Sequence, residues 1–193
     1  MSVYPVFLKL TGRRVLVVGG GPVAAGKLEG LLAAEALVTV VAPDIVPAIA
    51  GAAVEVRRRQ FQPSDLEGVC FVVAAAPPEV NRQVAAAAHA RGLLVNAVDD
   101  VENASAYLGA VLRRAGITVA LSSDGAAPAL VGLLREALED VLPADLEAWM
   151  SCAREARQQW LAERVPMAGR RPLLLEALVR RYADQLDPAG VTR

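Results

Sequence analysis

Apolar residues run continuously in short stretches through the first half of the chain and recur at helical spacing through the second. Arg14 to Val18, Leu37 to Ala42, Val54 to Arg57, Val69 to Ala75 and Leu93 to Val98 read as strands. The stretch from Val69 to Ala75 has no polar interruption, the pattern of a strand covered on both faces. Val23 to Ala34 and Glu79 to Arg91 read as helices, the second ended by Gly92. Strand alternating with helix predicts a parallel sheet with helices on both of its faces.

The pattern changes near residue 112. Ala106 to Arg113 and Ile117 to Ser122 read as two strands joined by a tight "RAG" connection. The chain then turns helical. Leu130, Leu134, Leu138 and Val141 recur at helical spacing, Val131 and Leu133 widen the stripe, and Pro143 stops it. Leu146, Trp149, Met150, Ala153, Trp160 and Leu161 mark a second helix. Pro166 to Arg171 reads as a break and Leu173 to Tyr182 as a last helix, with fraying expected after Ala183. The expected organisation is a Rossmann-like α/β domain over residues 1–112, a dimerisation segment over 113–143 and a helical tail over 144–193.

Composition narrows the class. Hydrophobic residues make up 54% of the 193 and aromatics only 4%, so the core is built from Ala, Val and Leu. A net charge of -1 lacks the basic footprint of a nucleic-acid binder. No apolar run approaches the roughly 18 residues of a membrane span, and Met1 to Gly12 lacks the layout of a secretory signal. Cys70 and Cys152 show no metal or redox spacing, in line with a reducing cytoplasm. His89 is the one histidine, and it reads as an ordinary helix residue. With no cysteine cluster beside it, the chain has no usual transition-metal ligand set. "RRR" at 57–59 reads as a solvated strand end. Arg170, Arg171, Arg180 and Arg181 read as a solvated helix face, or as forks for a ligand rich in carboxylates.

The chemistry-bearing stretch is "VLVVGGGPVAAGKLEG". Gly19, Gly21 and Ala24 fit G-x-G-x-x-A between a strand and a helix, the context that gives this motif meaning. Gly19 permits the turn out of the strand. Gly21 lets a pyrophosphate approach the backbone, and Ala24 lets the helix pack close to the sheet. Pro22 suits the first helical turn, where its missing N–H costs little. The free N–H groups and partial positive charge of the helix start then face the anion. An acidic residue about 20 positions on usually takes the ribose hydroxyls of NAD. Here Ala42 and Pro43 occupy that place, Asp44 follows slightly late, and no Arg or Lys stands ready for a 2′-phosphate. NAD is expected over NADP.

The chain resembles the precorrin-2 dehydrogenase/sirohydrochlorin ferrochelatase module of siroheme synthases. The residues that carry the resemblance are "YPVFLKLTGRRVLVVGGGPVAAGKLEGLL", "VTVVAP", "LLVNAVDD" and "ITVALSSDGAAPALVGLLREALEDVLP", in family order and spacing. It covers about residues 3 to 143. The resemblance implies NAD-dependent oxidation of precorrin-2 to sirohydrochlorin. In many members ferrous iron is then inserted to give siroheme. It also implies a homodimer formed through the segment after residue 106. It places the catalytic aspartate on Asp99, with Asp100 left open as the alternative. NAD contacts fall on Pro22, Val23, Pro43 and Asp44, and Ser122, Ser123 and Gly125 line the turn facing the tetrapyrrole. The serines equally suit a helix-starting turn before Pro128. The chain departs from the family after the aspartate: Ala104, Ala106, Leu108 and Gly109 stand where a cysteine and an F-x-F-P run are usual. Two alternatives therefore stay open, a dehydrogenase without chelatase activity and a non-catalytic NAD-sensing dimer. Macrocycle binding separates enzyme from sensor.

Overall fold

In the computed structural model, which describes residues 3–183, five parallel strands form one sheet in the order β3-β2-β1-β4-β5. β1 (Arg14–Val18), β2 (Leu37–Val41), β3 (Glu55–Arg57), β4 (Phe71–Ala74) and β5 (Leu94–Ala97) lie where the apolar runs predict them. β1 sits at the centre, with Val15 opposite both Val38 and Phe71. All four residues of β4 are buried. α1 (Pro22–Ala33) and the short α2 (Pro47–Ala50) cover one face, where Ala24, Leu28, Leu31 and Ile49 pack on Val15, Val17, Val40 and Val73. α3 (Pro78–His89) and a 3-10 turn at Pro63–Leu66 cover the other, where Val84, Ala85, Ala88 and Leu66 meet Leu16, Val72 and Val95. Each such valine or leucine contributes about 1.5–3 kcal/mol by leaving water. α2 and the 3-10 turn are too short to raise a periodic signal, so the sequence pattern misses both.

The described residues divide into two compact units, one running to Leu108 and including Ser122–Ala127, the other Gly109–Leu121 with the chain from Pro128 on. Residue 112 falls inside β6 (Ala110–Arg114), and the helix that carries Leu130 to Val141 ends before Pro143. The expected strand from Ala106 begins later for a physical reason. The Ser105 and Ala106 amides both donate to the Val95 carbonyl, and the Ser105 hydroxyl accepts from the Val95 amide at 2.9 Å. That segment is thereby tied to the edge strand β5.

In the second unit β6 pairs antiparallel with β7 (Ile117–Leu121), with Arg114 opposite Ile117. Ala115 and Gly116 both have positive φ, 51° and 79°, as a two-residue type I′ turn requires. α4 (Pro128–Val141) packs on β6. α5 (Leu146–Ala162) is held to α6 (Met167–Ala183) by Trp149, whose indole N–H donates to the Tyr182 hydroxyl, which in turn donates to Asp145. α6 runs through Pro172, so the expected break shrinks to the few residues before Met167. Residues 184–193 of the expected tail lie outside the described residues.

At the end of β3 "RRR" is more than a solvated strand end. The Asp65 carboxylate, 1% exposed, accepts from Arg57 at 3.0 Å, from Arg59 at 2.8 Å and from the Gln62 amide at 2.9 Å. The Arg59 hydrogen bond is the chief cause that lowers its pKa from 3.8 to about 2, against the opposing effect of burial. A carboxyl depressed in the fold stabilises it above the unfolded pKa, and that contribution is lost as pH falls through the folded value. The half-exposed arginines are screened by water, which leaves about 1–2 kcal/mol. Asp65→Asn is expected to remove this much at neutral pH and to flatten the loss of stability between about pH 4 and pH 2. Denaturant melts at several pH values check it; an unchanged slope in that window would refute the assignment.

Candidate functional site

Three glycines at the carboxyl end of β1 serve two different ends. Gly19 has φ 132°, and a Cβ there would collide with the Ala75 carbonyl after β4. Gly20 is as confined: a Cβ would collide with the Asp44 carbonyl after β2. The Val46 amide donates to the Gly20 carbonyl at 2.9 Å, and the Gly19 amide donates to the Val41 carbonyl at 3.0 Å. Backbone thus meets backbone on both sides of the turn. Gly21 differs, since nothing lies within 4 Å of the position its Cβ would take. Gly20 fills an unspecified place in the motif, so the pattern gives no reason to single it out.

Gly21 is the N-cap of α1, Pro22 follows it, and no side chain caps the helix. No acidic residue stands in the first turn either. First-turn N–H groups have no intrahelical partner, so they are left for a ligand. Ala24 is fully buried against the sheet, while Val23 is 52% exposed. A cleft of about 390 Å³ opens beside the turn, lined by Gly20, Gly21, Asp44, Ile45, Val46 and Pro47. The structure therefore brings Gly21 and Asp44 to one cleft and leaves Pro43 exposed outside its lining. An open Gly21, an uncapped helix start and an acidic group across the cleft fit a dinucleotide pyrophosphate and ribose.

The second cluster follows β5 at the same, carboxyl end of the sheet. Asp99 has φ 57°, a left-handed conformation that Asp and Asn tolerate better than other side chains. Its exposed carboxylate makes no hydrogen bond among the described residues. Asp100 is committed: its carboxylate accepts from the Asn103 amide at 3.2 Å and from Asn103 Nδ2 at 2.8 Å. The Ala104 amide also donates to the Asp100 carbonyl at 3.1 Å, closing the turn.

The loop with Ser122, Ser123 and Gly125 reaches this cluster. Gly125 has φ 82°, and its Cβ would come within 2.9 Å of Val101 Cγ2. The Ser122 hydroxyl accepts from the Asp124 amide at 3.1 Å, and the Ser123 hydroxyl accepts from the Ala127 amide at 2.9 Å. Each serine supports the turn as an acceptor and keeps its O–H to donate.

Asn81 escapes sequence reasoning. It is 4% exposed in the first turns of α3. Its Oδ1 accepts from the Ala76 amide at 2.9 Å, and its Nδ2 donates to the Val98 carbonyl at 3.4 Å. An asparagine in a polar stretch such as "PEVNRQ" carries no signal of burial. Among the described residues no three His, Cys, Asp or Glu side chains gather as a metal site.

A doubly covered parallel sheet whose central strand feeds a glycine-opened, uncapped helix defines a nucleotide-binding Rossmann-like module. Residues 6–110 match the protein-family model described as "Putative NAD(P)-binding". The siroheme synthase of Photorhabdus laumondii is 38% identical over 95% of the chain and 40% of its own length. Siroheme synthase 1 of Cronobacter sakazakii is 40% identical over 100% of the chain and 42% of its own length. The chain thus spans about two-fifths of the length of these curated relatives. The solved structure of SirC, a precorrin-2 dehydrogenase, superposes with a TM-score of 0.68 at 29% identity, covering 90% of this chain and 88% of that one. The chain belongs to the family described as putative NAD(P)-binding.

The geometry separates two glycine substitutions. Gly21→Asp is expected to leave the fold intact, because the position is open and Asp is a good N-cap. Its carboxylate then occupies and repels the anion site, so dinucleotide affinity should fall by at least a hundredfold. Gly20→Ala should instead destabilise the protein by several kcal/mol, since a methyl cannot share space with the Asp44 carbonyl. Calorimetric titration and thermal melts check the pair. A folded Gly21→Asp protein with wild-type affinity would sink the assignment.

Proposed function

We propose that this protein oxidises precorrin-2 to sirohydrochlorin with NAD as the oxidant. The observation that carries the reading is the uncommitted Asp99 carboxylate at the sheet end that also holds the glycine turn. The oxidation breaks a C–H bond and removes a hydride and a proton. When bound, the nicotinamide accepts the hydride. The protein supplies the rest. The Gly21–Ala24 turn holds the pyrophosphate through backbone N–H groups, and Asp44 accepts from the ribose hydroxyls. An acidic group there disfavours the extra charge of a 2′-phosphate, which favours NAD over NADP.

Asp99 takes the proton as general base. Asp100 and Asn103 hold its turn, and the serine hydroxyls with Gly125 border the tetrapyrrole. The free thiols Cys70 and Cys152 suit a reducing cytoplasm. The name siroheme synthase on the relatives favours a second reading of the same site. Asp99 would then also take the two pyrrole N–H protons released when ferrous iron, as substrate, enters the ring, one after the other, passing the first to solvent before it accepts the second.

The second unit supports a homodimer. It buries Leu112, Val131 and Leu146 but leaves Leu130, Leu133, Leu134 and Val141 of α4 between 47% and 77% exposed. Apolar stripes of this width on α4 mark association surfaces. Light scattering at micromolar concentration is expected to give the dimer mass, and a stable monomer would count against this face as the interface.

Asp99→Asn keeps the left-handed backbone and the side-chain shape, so dinucleotide binding should stay. Turnover should fall by about 10²–10⁴-fold, the usual worth of a general base. Asp100→Asn still offers an acceptor to Asn103 and should cost far less. Anaerobic assays with precorrin-2 and NAD, following reduced nicotinamide, check both. Near wild-type turnover of Asp99→Asn would reject the proton role.

A further inference from the structure

We infer that Asn81 is a positioning residue that sets where the Asp99 carboxylate stands relative to the glycine turn. The inference rests on the reaction proposed above. Asn81 is buried, and its one amide bridges the chain just past β4 and just past β5. Both ends of the bridge lead to the site. Ala76, the donor on one side, follows Ala75, whose carbonyl walls in Gly19. Val98, the acceptor on the other, is bonded directly to Asp99. One rigid side chain therefore spans the two strand ends between cofactor turn and base.

The two ends differ in how much they depend on it. The glycine turn has backbone anchors of its own, Gly19 N–H to Val41, Val46 N–H to Gly20 and Ala75 N–H to Val18 at 2.8 Å. On the Asp99 side the Val98 amide donates to Ala74 at 2.9 Å and the Asp100 amide reaches Ala97 only at 3.4 Å, while Asp99 itself has no side-chain hydrogen bond among the described residues and sits in a left-handed conformation. The Val98 carbonyl has Asn81 as its partner. Loss of the bridge should free Asp99 to drift while leaving the cofactor turn in place. A misplacement of about 1 Å in a reacting group can cost about a hundredfold in rate.

The decisive variant is Asn81→Leu, which keeps the volume and deletes both hydrogen bonds. Its kcat per folded molecule should fall about a hundredfold, while its NAD Kd stays within about threefold of wild type. In an Asp99→Asn background the same change should cost almost nothing more, because a residue that acts through Asp99 loses its effect once the carboxylate is gone. Asn81→Asp, which keeps an acceptor for Ala76, should bind NAD like wild type.

Hydrogen exchange gives a readout that needs no substrate: the Val98 amide of Asn81→Leu should exchange at least fivefold faster, with Gly19–Ala24 unchanged. Wild-type kcat in Asn81→Leu, equal losses with and without Asp99, or unaltered exchange at Val98 would each overturn the inference. Should the wild type bind NAD but leave precorrin-2 untouched, the reaction reading fails separately, and exchange at Val98 alone decides whether Asn81 holds this strand end. If Asn81→Leu does not fold, Asn81→Asp carries the test, since it must then retain NAD binding and show faster exchange at Val98.

Discussion

Backbone lies directly against backbone around Gly19 and Gly20, and the carboxyl end of the sheet depends on that approach. The carbonyls of Ala75 and Asp44 occupy the space where side chains would otherwise stand. Three strand ends, those of β1, β2 and β4, can therefore converge within hydrogen-bonding distance of one turn. The cleft beside Gly21, the start of α1 and the approach of Asp44 all follow from this convergence. Two of the three glycines answer to the fold and the third to the space beyond it. A motif usually read as a ligand signature is here mainly a packing requirement.

The strands were the most legible part of the chain. Arg14 to Val18 reads as a strand from its apolar run and forms one over those residues, because a central parallel strand must be apolar on both faces. Ala106 to Gly109 reads as strand for the same reason but is not part of β6, since local hydrogen bonds to Val95 claim Ser105 and Ala106 first. Helix runs through Pro172, where the sequence places a break over Pro166 to Arg171.

Site residues were legible as types and less so as individuals. Asp99 and Asp100 are the same letter twice, and only the backbone tells them apart: one carboxylate closes a turn with Asn103, the other projects from a left-handed residue. Arg57 and Arg59 look like surface charge until the 3-10 turn delivers Asp65 between them. Asn81 depends on contacts 5 and 17 residues away along the chain, which no local pattern encodes. Tertiary hydrogen bonds of this kind are the information that periodicity lacks.

The second unit has few wholly buried apolar side chains, Leu112, Val131 and Leu146 among them, and wears much of its leucine outside. A unit built this way draws little of its stability from its own interior. By mass action, a surface that is covered only on association makes stability a function of protein concentration. In the proposed dimer dilution would become a denaturing variable in its own right, and a melting temperature would carry meaning only beside the concentration at which it was taken.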